Sequence, residues 1–369
     1  MTDTHRLKLF FGGDVMTGRG VDQILPHPSA PRLHEPFVIS ALDYVQMAER
    51  KNGPVSAPVD HSYVWGDALE ILEQMGPAAR IVNLETSITT SEQPLPKGIN
   101  YRMHPDNVPV LRAAGVDCCS MANNHVLDWG EAGLVETLDT LEAAKIHACG
   151  AGRDLESARA PAVLNLEPER RILVFSFCTD DCGVPPEWSA GAGRPGVNLL
   201  SELSRRTVDA IARRVEASKR PGDLAIATIH WGSNWGYDID VHHRSFAHHL
   251  IDHASINAVH GHSSHHPKAI EIHHDRPIFY GCGELVNDYE GIRDHAEFRG
   301  DLVLMYFPTF DTSAGALVGV EMVPLQIRRF QLKRASAVDR AWIRETMSRE
   351  CRRFGHEVVE RDDRFALGW

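Results

Sequence analysis

Five short polar stretches of this sequence hold residues that bind cations or move protons, and each follows directly on an apolar run. They are Gly12-Gly13-Asp14, Asn83-Leu84-Glu85, Asn123-Asn124-His125 with Asp128 just beyond, His230-Trp231-Gly232, and the run from His260 to His266, which contains His262 and His265. Mixed carboxylate, amide and imidazole donors suit one or two divalent ions of the Mn, Fe, Zn, Mg or Ca kind better than a thiolate site would. One carboxylate can bridge two ions about 3.5–4 Å apart, as in two-metal hydrolases. Taken singly, Asp14 or Asn124 reads equally well as a helix cap or a satisfied buried polar group. Five such stretches arriving together at strand ends point to one site. No organic cofactor is called for.

Histidine usage points the same way. The chain has 21, and 13 of them fall between His230 and His295, a bias toward metal binding or proton transfer. Not all are expected to take part. His242, His243, His248, His249 and His253 lie on or beside a helical pattern whose buried stripe is Phe246, Leu250 and Ile251, so they read as a solvated face. His273 and His274 precede Asp275 at a hairpin turn and read as surface residues. His295, in a polar loop, reads as a catalytic base or as a plain loop histidine.

The elements that must position these residues alternate. Apolar runs predict strands over 7–12, 80–84, 117–122, 172–178, 224–230, 256–261, 269–273 and 277–281. Between them, helical periodicity covers 66–75, 106–114, 131–144, 200–218 and 243–254, with a further amphipathic segment at 339–351. Alternation of this kind predicts an α/β layered fold with a largely parallel sheet, the late strands adding a mixed or antiparallel part. Ligands of such sheets gather beyond the carboxyl ends of the strands, where the polar stretches stand. Turn-rich stretches at 26–60 and 183–195 read as loops or lids. Residues 1–335 are expected to form one catalytic domain and 336–369 a helical extension.

The motifs Gly-Asp-Val-Met-Thr-Gly-Arg from Gly13, Asn-Leu-Glu-Thr from Asn83, Ala-Asn-Asn-His-Val-Leu-Asp-Trp-Gly from Ala122, His-Trp-Gly from His230 and Gly-His-x-x-His from Gly261 resemble, in that order, the CapA family. Its members are known as poly-γ-glutamate capsule biosynthesis proteins, built on the calcineurin-like metallophosphatase fold. The resemblance runs from about residue 7 to 307 and implies a four-layer αββα sandwich with a two-metal site between its sheets. By motif, Asp14 and His265 would bind the first metal, Glu85 would bridge, and Asn124, His230 and His262 would bind the second. His125, held by Asp128, would be an acid/base group. The turn before Glu284 would lie near the metals. Two departures count against ordinary phosphoesterase chemistry and full occupancy of both metals. Val15-Met16 follow Asp14 where metallophosphatases have Asp-x-His, and the bridging Asp is replaced by Glu85.

A net charge of −12 argues against nucleic-acid or anionic-membrane partners, and no apolar run is long enough to span a bilayer. The N-terminal stretch lacks the apolar length of a secretory leader. Seven cysteines, odd in number and without zinc-ribbon spacing, fit reduced buried thiols. A cytoplasmic protein is therefore expected, which sits poorly with a capsule role at the envelope. The reading favoured on these grounds resembles the family's peptide-epimerase branch, acting on the C-terminal residue of a lasso-peptide precursor. In it a metal stabilises the enolate while His125 and His295 remove and return the Cα proton. Arg19 and Lys268 would hold a substrate carboxylate, Trp231 would line the pocket, and Cys282 would approach substrate or stay a structural thiol. The alternatives are metal-dependent hydrolysis of a phosphoester or amide, and a capsule or poly-γ-glutamate biosynthesis role.

Overall fold

Successive side chains of a strand face opposite sides, and in the central strands both sides are apolar. Leu9 and Phe11 therefore pack in one core while Phe10 packs in another, and Ile81 and Val82, or Cys118 and Cys119, divide in the same way. In the second half of the chain Ile172, Val174 and Ile226 share the core of Leu9 and Phe11, whereas Leu173, Phe175 and Ala225 enter a third. Three cores stacked on two sheets make four layers. The outer face of the first sheet is covered by helices Ala68–Met75, Pro109–Ala113 and Gly130–Ala143, through Ile71, Leu72, Leu111, Leu134 and Leu141. That of the second is covered by Arg205–Ser218 and Val241–Ala254, through Val208, Ile211, Phe246 and Leu250. Each large apolar side chain buried this way stabilises the fold by roughly 1.5–3 kcal/mol. The four-layer αββα arrangement is the expected one.

The computed structural model describes residues 5–166, 170–292 and 294–369. Its larger sheet has ten strands, with Arg6–Val15 at the centre between Ala79–Leu84, parallel, and Leu302–Asp311, antiparallel. Beyond Ala79–Leu84 lie Cys118–Ser120 and His147–Cys149, both parallel. The six-stranded sheet runs parallel through Arg170–Cys178, Leu224–His230, Ala258–His262 and Arg276–Phe279, with antiparallel strands at its edges. All the parallel strands named so far, except His147–Cys149, Arg170–Cys178 and Arg276–Phe279, deliver one of the five polar stretches at their carboxyl end. No helix among the described residues is long and apolar enough to cross a membrane, and all seven cysteines are buried and unpaired.

Two stretches differ from expectation. The 26–60 stretch carries a helix, Ala41–Asn52, capped by the Ser40 hydroxyl, which accepts from the Leu42 N–H. Only Ala41, Tyr44 and Ala48 of its twelve residues are buried, too narrow a stripe to stand out from a polar loop. The stretch expected as a helical extension is a helix, Ala337–Cys351, followed by a hairpin, Glu357–Arg361 and Arg364–Gly368. The hairpin pairs with Ala316–Arg328 at the edge of the large sheet. Val358, Phe365 and Leu367 insert into the core between the sheets, so the end of the chain is part of the sandwich.

Candidate metal centre

The Arg6–Val15 strand changes partner along one edge. As far as Phe11 it pairs with Leu302–Asp311, and from Asp14 it pairs in parallel with Glu284–Val286, with a register shift between Asp14 and Val15. Asp14 and Glu284 thereby become neighbours across 270 positions of chain. The approach is close enough to require glycine: a Cβ on Gly13 would fall 1.8 Å from the Gly283 carbonyl oxygen. In the second sheet His230 and His262 stand opposite each other in register, their Nδ1 atoms 2.8 Å apart.

These strand ends converge. One donor atom from each of Asp14, His230 and His262 lies within 4.8 Å of the others. Asn124 Oδ1 is 3.1 Å from His230 Nε2, and Glu85 Oε1 is 3.9 Å from the same nitrogen. His265 Nδ1 is 3.3 Å from Glu284 Oε1. Asn83 donates to Asp14 Oδ1 at 2.7 Å, and the Ser263 N–H points at Oδ2 from 3.3 Å.

The electrostatics call for a cation. Burial pushes the Asp14 carboxyl up to about 7, against hydrogen bonds from Asn83, Glu85 and Ser263 that pull it back. Glu85 and Glu284 are held well above the carboxylate range, first by burial and then by the charge of Asp14. Glu85 Oε2 and both Glu284 oxygens are buried without a well-formed hydrogen bond. Burial also keeps His230 and His262 neutral, far below the ordinary imidazole value, so their lone pairs stay available. Three clustered carboxylates, unpaired oxygens and neutral imidazoles are the donor chemistry that a divalent ion satisfies. Among the described residues, the nearby cations Arg19 and Lys97 are committed elsewhere. Arg19 makes a two-point contact with Asp288, at 2.5 and 3.1 Å, and a further one with Glu35 at 2.9 Å. Lys97 lies 2.9 Å from Asp128 Oδ1.

Beside the centre stands a hydrogen-bonded dyad. His125 Nδ1 is 2.7 Å from Asp128 Oδ2, which also accepts the Tyr101 N–H at 2.7 Å. Asp128 thus holds the imidazole proton on Nδ1, leaving the Nε2 lone pair facing Glu85 Oε1 at 3.7 Å. Burial lowers the His125 pKa to about 4, more than Asp128 raises it. The space in front is a cavity of about 570 Å³ lined by Tyr101, His125, Asn234, Trp235, His265, Tyr289 and His295, among others.

Residues 8–289 match the family of the bacterial capsule synthesis protein PGA_cap. The chain belongs to that family. It is 49% identical over 357 residues to a Mycobacterium tuberculosis protein named "Probable polyglutamine synthesis accessory protein", covering 96% of this chain and 94% of the relative. It is 24% identical over 284 residues to the PGA biosynthesis protein CapA of Bacillus subtilis, covering 76% and 63%. Among solved structures, a crystal structure described as a novel phosphatase of Mycoplasma pneumoniae aligns with a TM-score of 0.47 at 11% identity, covering 87% of this chain and 94% of that one. None of these three is named an epimerase.

This PGA_cap sequence brings Asp14, Glu85, Asn124, His230, His262 and His265 together, with His125 and Asp128 beside them. His295 reaches the same cavity, its ring stacked on Trp235 at 4.4 Å. The expected substrate contacts are placed differently. Arg19 lines the cavity, but its guanidinium is buried against Asp288, Glu35 and Tyr44, so it has little left to offer a carboxylate. Lys268 is buried with its ammonium 3.4 Å from the Asp238 carbonyl. Trp231 stacks on His243 and donates to the Tyr280 carbonyl at 3.0 Å. Cys282 lies in the core between the sheets, its thiol pushed up by burial. None of these last three lines the cavity. Glu284 is the donor that sequence reasoning missed, although its turn was expected nearby. It stands beside His265 and Asp14. Lys97 and the phenol pair of Tyr101 and Tyr289, 3.1 Å apart, were missed as well, and no motif marks them.

Proposed function

We propose that this chain is a metal-dependent accessory enzyme of poly-amino-acid synthesis that hydrolyses an amide bond of a glutamyl or glutaminyl polymer. The carrying observation is the His125–Asp128 dyad, its Nε2 lone pair turned toward a carboxylate and imidazole centre at the inner end of an open cavity. The substrate class rests on the printed names of its relatives. Asp14, Glu85, Asn124, His230, His262, His265 and Glu284 would hold one or two divalent ions. Such ions supply Lewis-acid polarisation of a carbonyl and acidify water. His125 Nε2 takes a proton from the attacking water and returns it to the leaving amine. Asp128 holds the tautomer and stabilises the imidazolium, and Lys97 fixes Asp128. Tyr101 and Tyr289, whose phenols burial keeps protonated, line the wall as donors for a developing oxyanion.

The test is incubation with α- and γ-linked glutamate and glutamine oligomers and Mn²⁺ or Zn²⁺ in ¹⁸O-water. Cleavage with one ¹⁸O in each new carboxylate supports the reading. Absence of cleavage from every oligomer overturns it. A second reading, peptide epimerisation, is favoured by one observation: His295 lines the same cavity as His125, so two bases could serve one Cα. The same oligomers in D₂O distinguish it, because epimerisation deuterates Cα without loss of mass. His295→Ala should then abolish exchange and leave bound metal unchanged.

A further inference from the structure

We propose a second cation site, separate from the strand-end centre, formed by Asp252, His273 and His274 and suited to a first-row transition metal such as Zn²⁺. Asp252 lies in the last turn of helix Val241–Ala254, His273 ends the strand Ile270–His273, and His274 begins the turn into Arg276–Phe279. His273 Nε2 and His274 Nδ1 each stand 2.9 Å from one oxygen, Asp252 Oδ1. One donor atom of each residue lies within 4.8 Å of the others.

Three features favour a ligand set over incidental surface histidines. First, the turn fixes where His274 stands. His274 and Asp275 both adopt positive φ, 47° and 59°, as the two central residues of a two-residue hairpin turn do. That conformation brings the His274 ring back over the helix. Second, the His273 ring is clamped. It stacks parallel to His248 at 3.9 Å and 3°, and His248 Nε2 is 3.1 Å from Glu271 Oε1, which also receives Arg244 at 2.7 Å. Held rings lose less freedom on binding an ion. Third, two imidazoles and one carboxylate form a borderline donor set that zinc takes readily, with a coordination position left for water. As neutral tautomers with lone pairs on Nε2 of His273 and Nδ1 of His274, the rings would turn to an ion the atoms they now turn to Asp252.

Occupied, the site would tie the helix to the hairpin, two elements joined through the strand Ala258–His262 and the loop beyond it that carries His265. Zn²⁺ titration by calorimetry, with metal counted after gel filtration, tests this in a His262→Ala background that weakens the strand-end centre. One equivalent should remain bound in that background. Asp252→Asn and His274→Asn, the latter a residue that accepts the turn, should each weaken it at least tenfold and abolish the Zn²⁺-induced rise in Tm. The proposal is overturned if the His262→Ala protein binds no zinc, or if neither further substitution changes its stoichiometry or affinity.

Discussion

Asp14, Glu85 and Glu284 crowd together, each almost wholly buried, while Arg19 and Lys97 answer other carboxylates. Without an ion, each is a liability to the fold, and with one, each becomes a donor. Glu284→Gln therefore has opposite effects on two measurements. Metal affinity should fall about 10–100-fold, read by chelator competition. The metal-free protein should gain about 1–3 kcal/mol, read from its urea midpoint, because Gln, unlike Glu, need not take up a proton to be buried beside Asp14. Asp128→Asn separates chemistry from binding: metal content should hold while turnover drops about 10²–10⁴-fold as the His125 tautomer is released. A matching loss of metal would remove the dyad from the mechanism. The polar stretches that carry the six candidate donors were legible because each stretch follows directly on an apolar run, and the resemblance in motif singled out the donors within them. Glu284 was not, because it opens a strand instead of closing one. Arg19 was misread because Asp288, which neutralises it, lies 269 positions away, and nothing local records that pairing.

At the scale of elements, the centre depends on how closely the Arg6–Val15 strand approaches the turn before Glu284. Gly13→Ala places a methyl group against the Gly283 carbonyl, and backbone cannot swing aside as a side chain can. Stability should fall by roughly 2–4 kcal/mol, with a parallel loss of bound metal, since the displaced strand carries Asp14. Unchanged melting and metal content would show that the strands tolerate separation. The core strands as far as Arg276–Phe279 were readable because alternating faces or continuous apolar runs betray burial, and their bounds moved by only a few residues. Helix Ala41–Asn52 was hidden by its narrow buried stripe, and the hairpin at Glu357–Gly368 by its interleaved charges, Glu357, Glu360, Arg361 and Arg364.

Across the whole molecule, the layer between the sheets sets an acid limit. His260 is buried there, its ring 4.8 Å from that of Phe11 and its Nε2 2.8 Å from the Gly12 carbonyl. Burial lowers its pKa from 6.5 to about 4. Between those values the unfolded chain binds more protons than the folded one. Its contribution is whole above 6.5 and is lost as pH falls toward 4, at up to about 1.4 kcal/mol per pH unit. Urea midpoints across that window should slope less steeply in His260→Gln, and an unchanged slope would remove His260 from the acid response. Four layers were legible from the strand and helix pattern together with the family motifs. The extent of the larger sheet was not, because its antiparallel half follows the last of those motifs. The pairing of Asp14 with Glu284 also has a consequence in time. At roughly 5–20 residues per second of synthesis, about 15–50 s separate the emergence of the first donor from that of the last. Throughout that interval the ribosome holds a chain whose donor set is incomplete, so closure of the full set around an ion would come only near the end of synthesis.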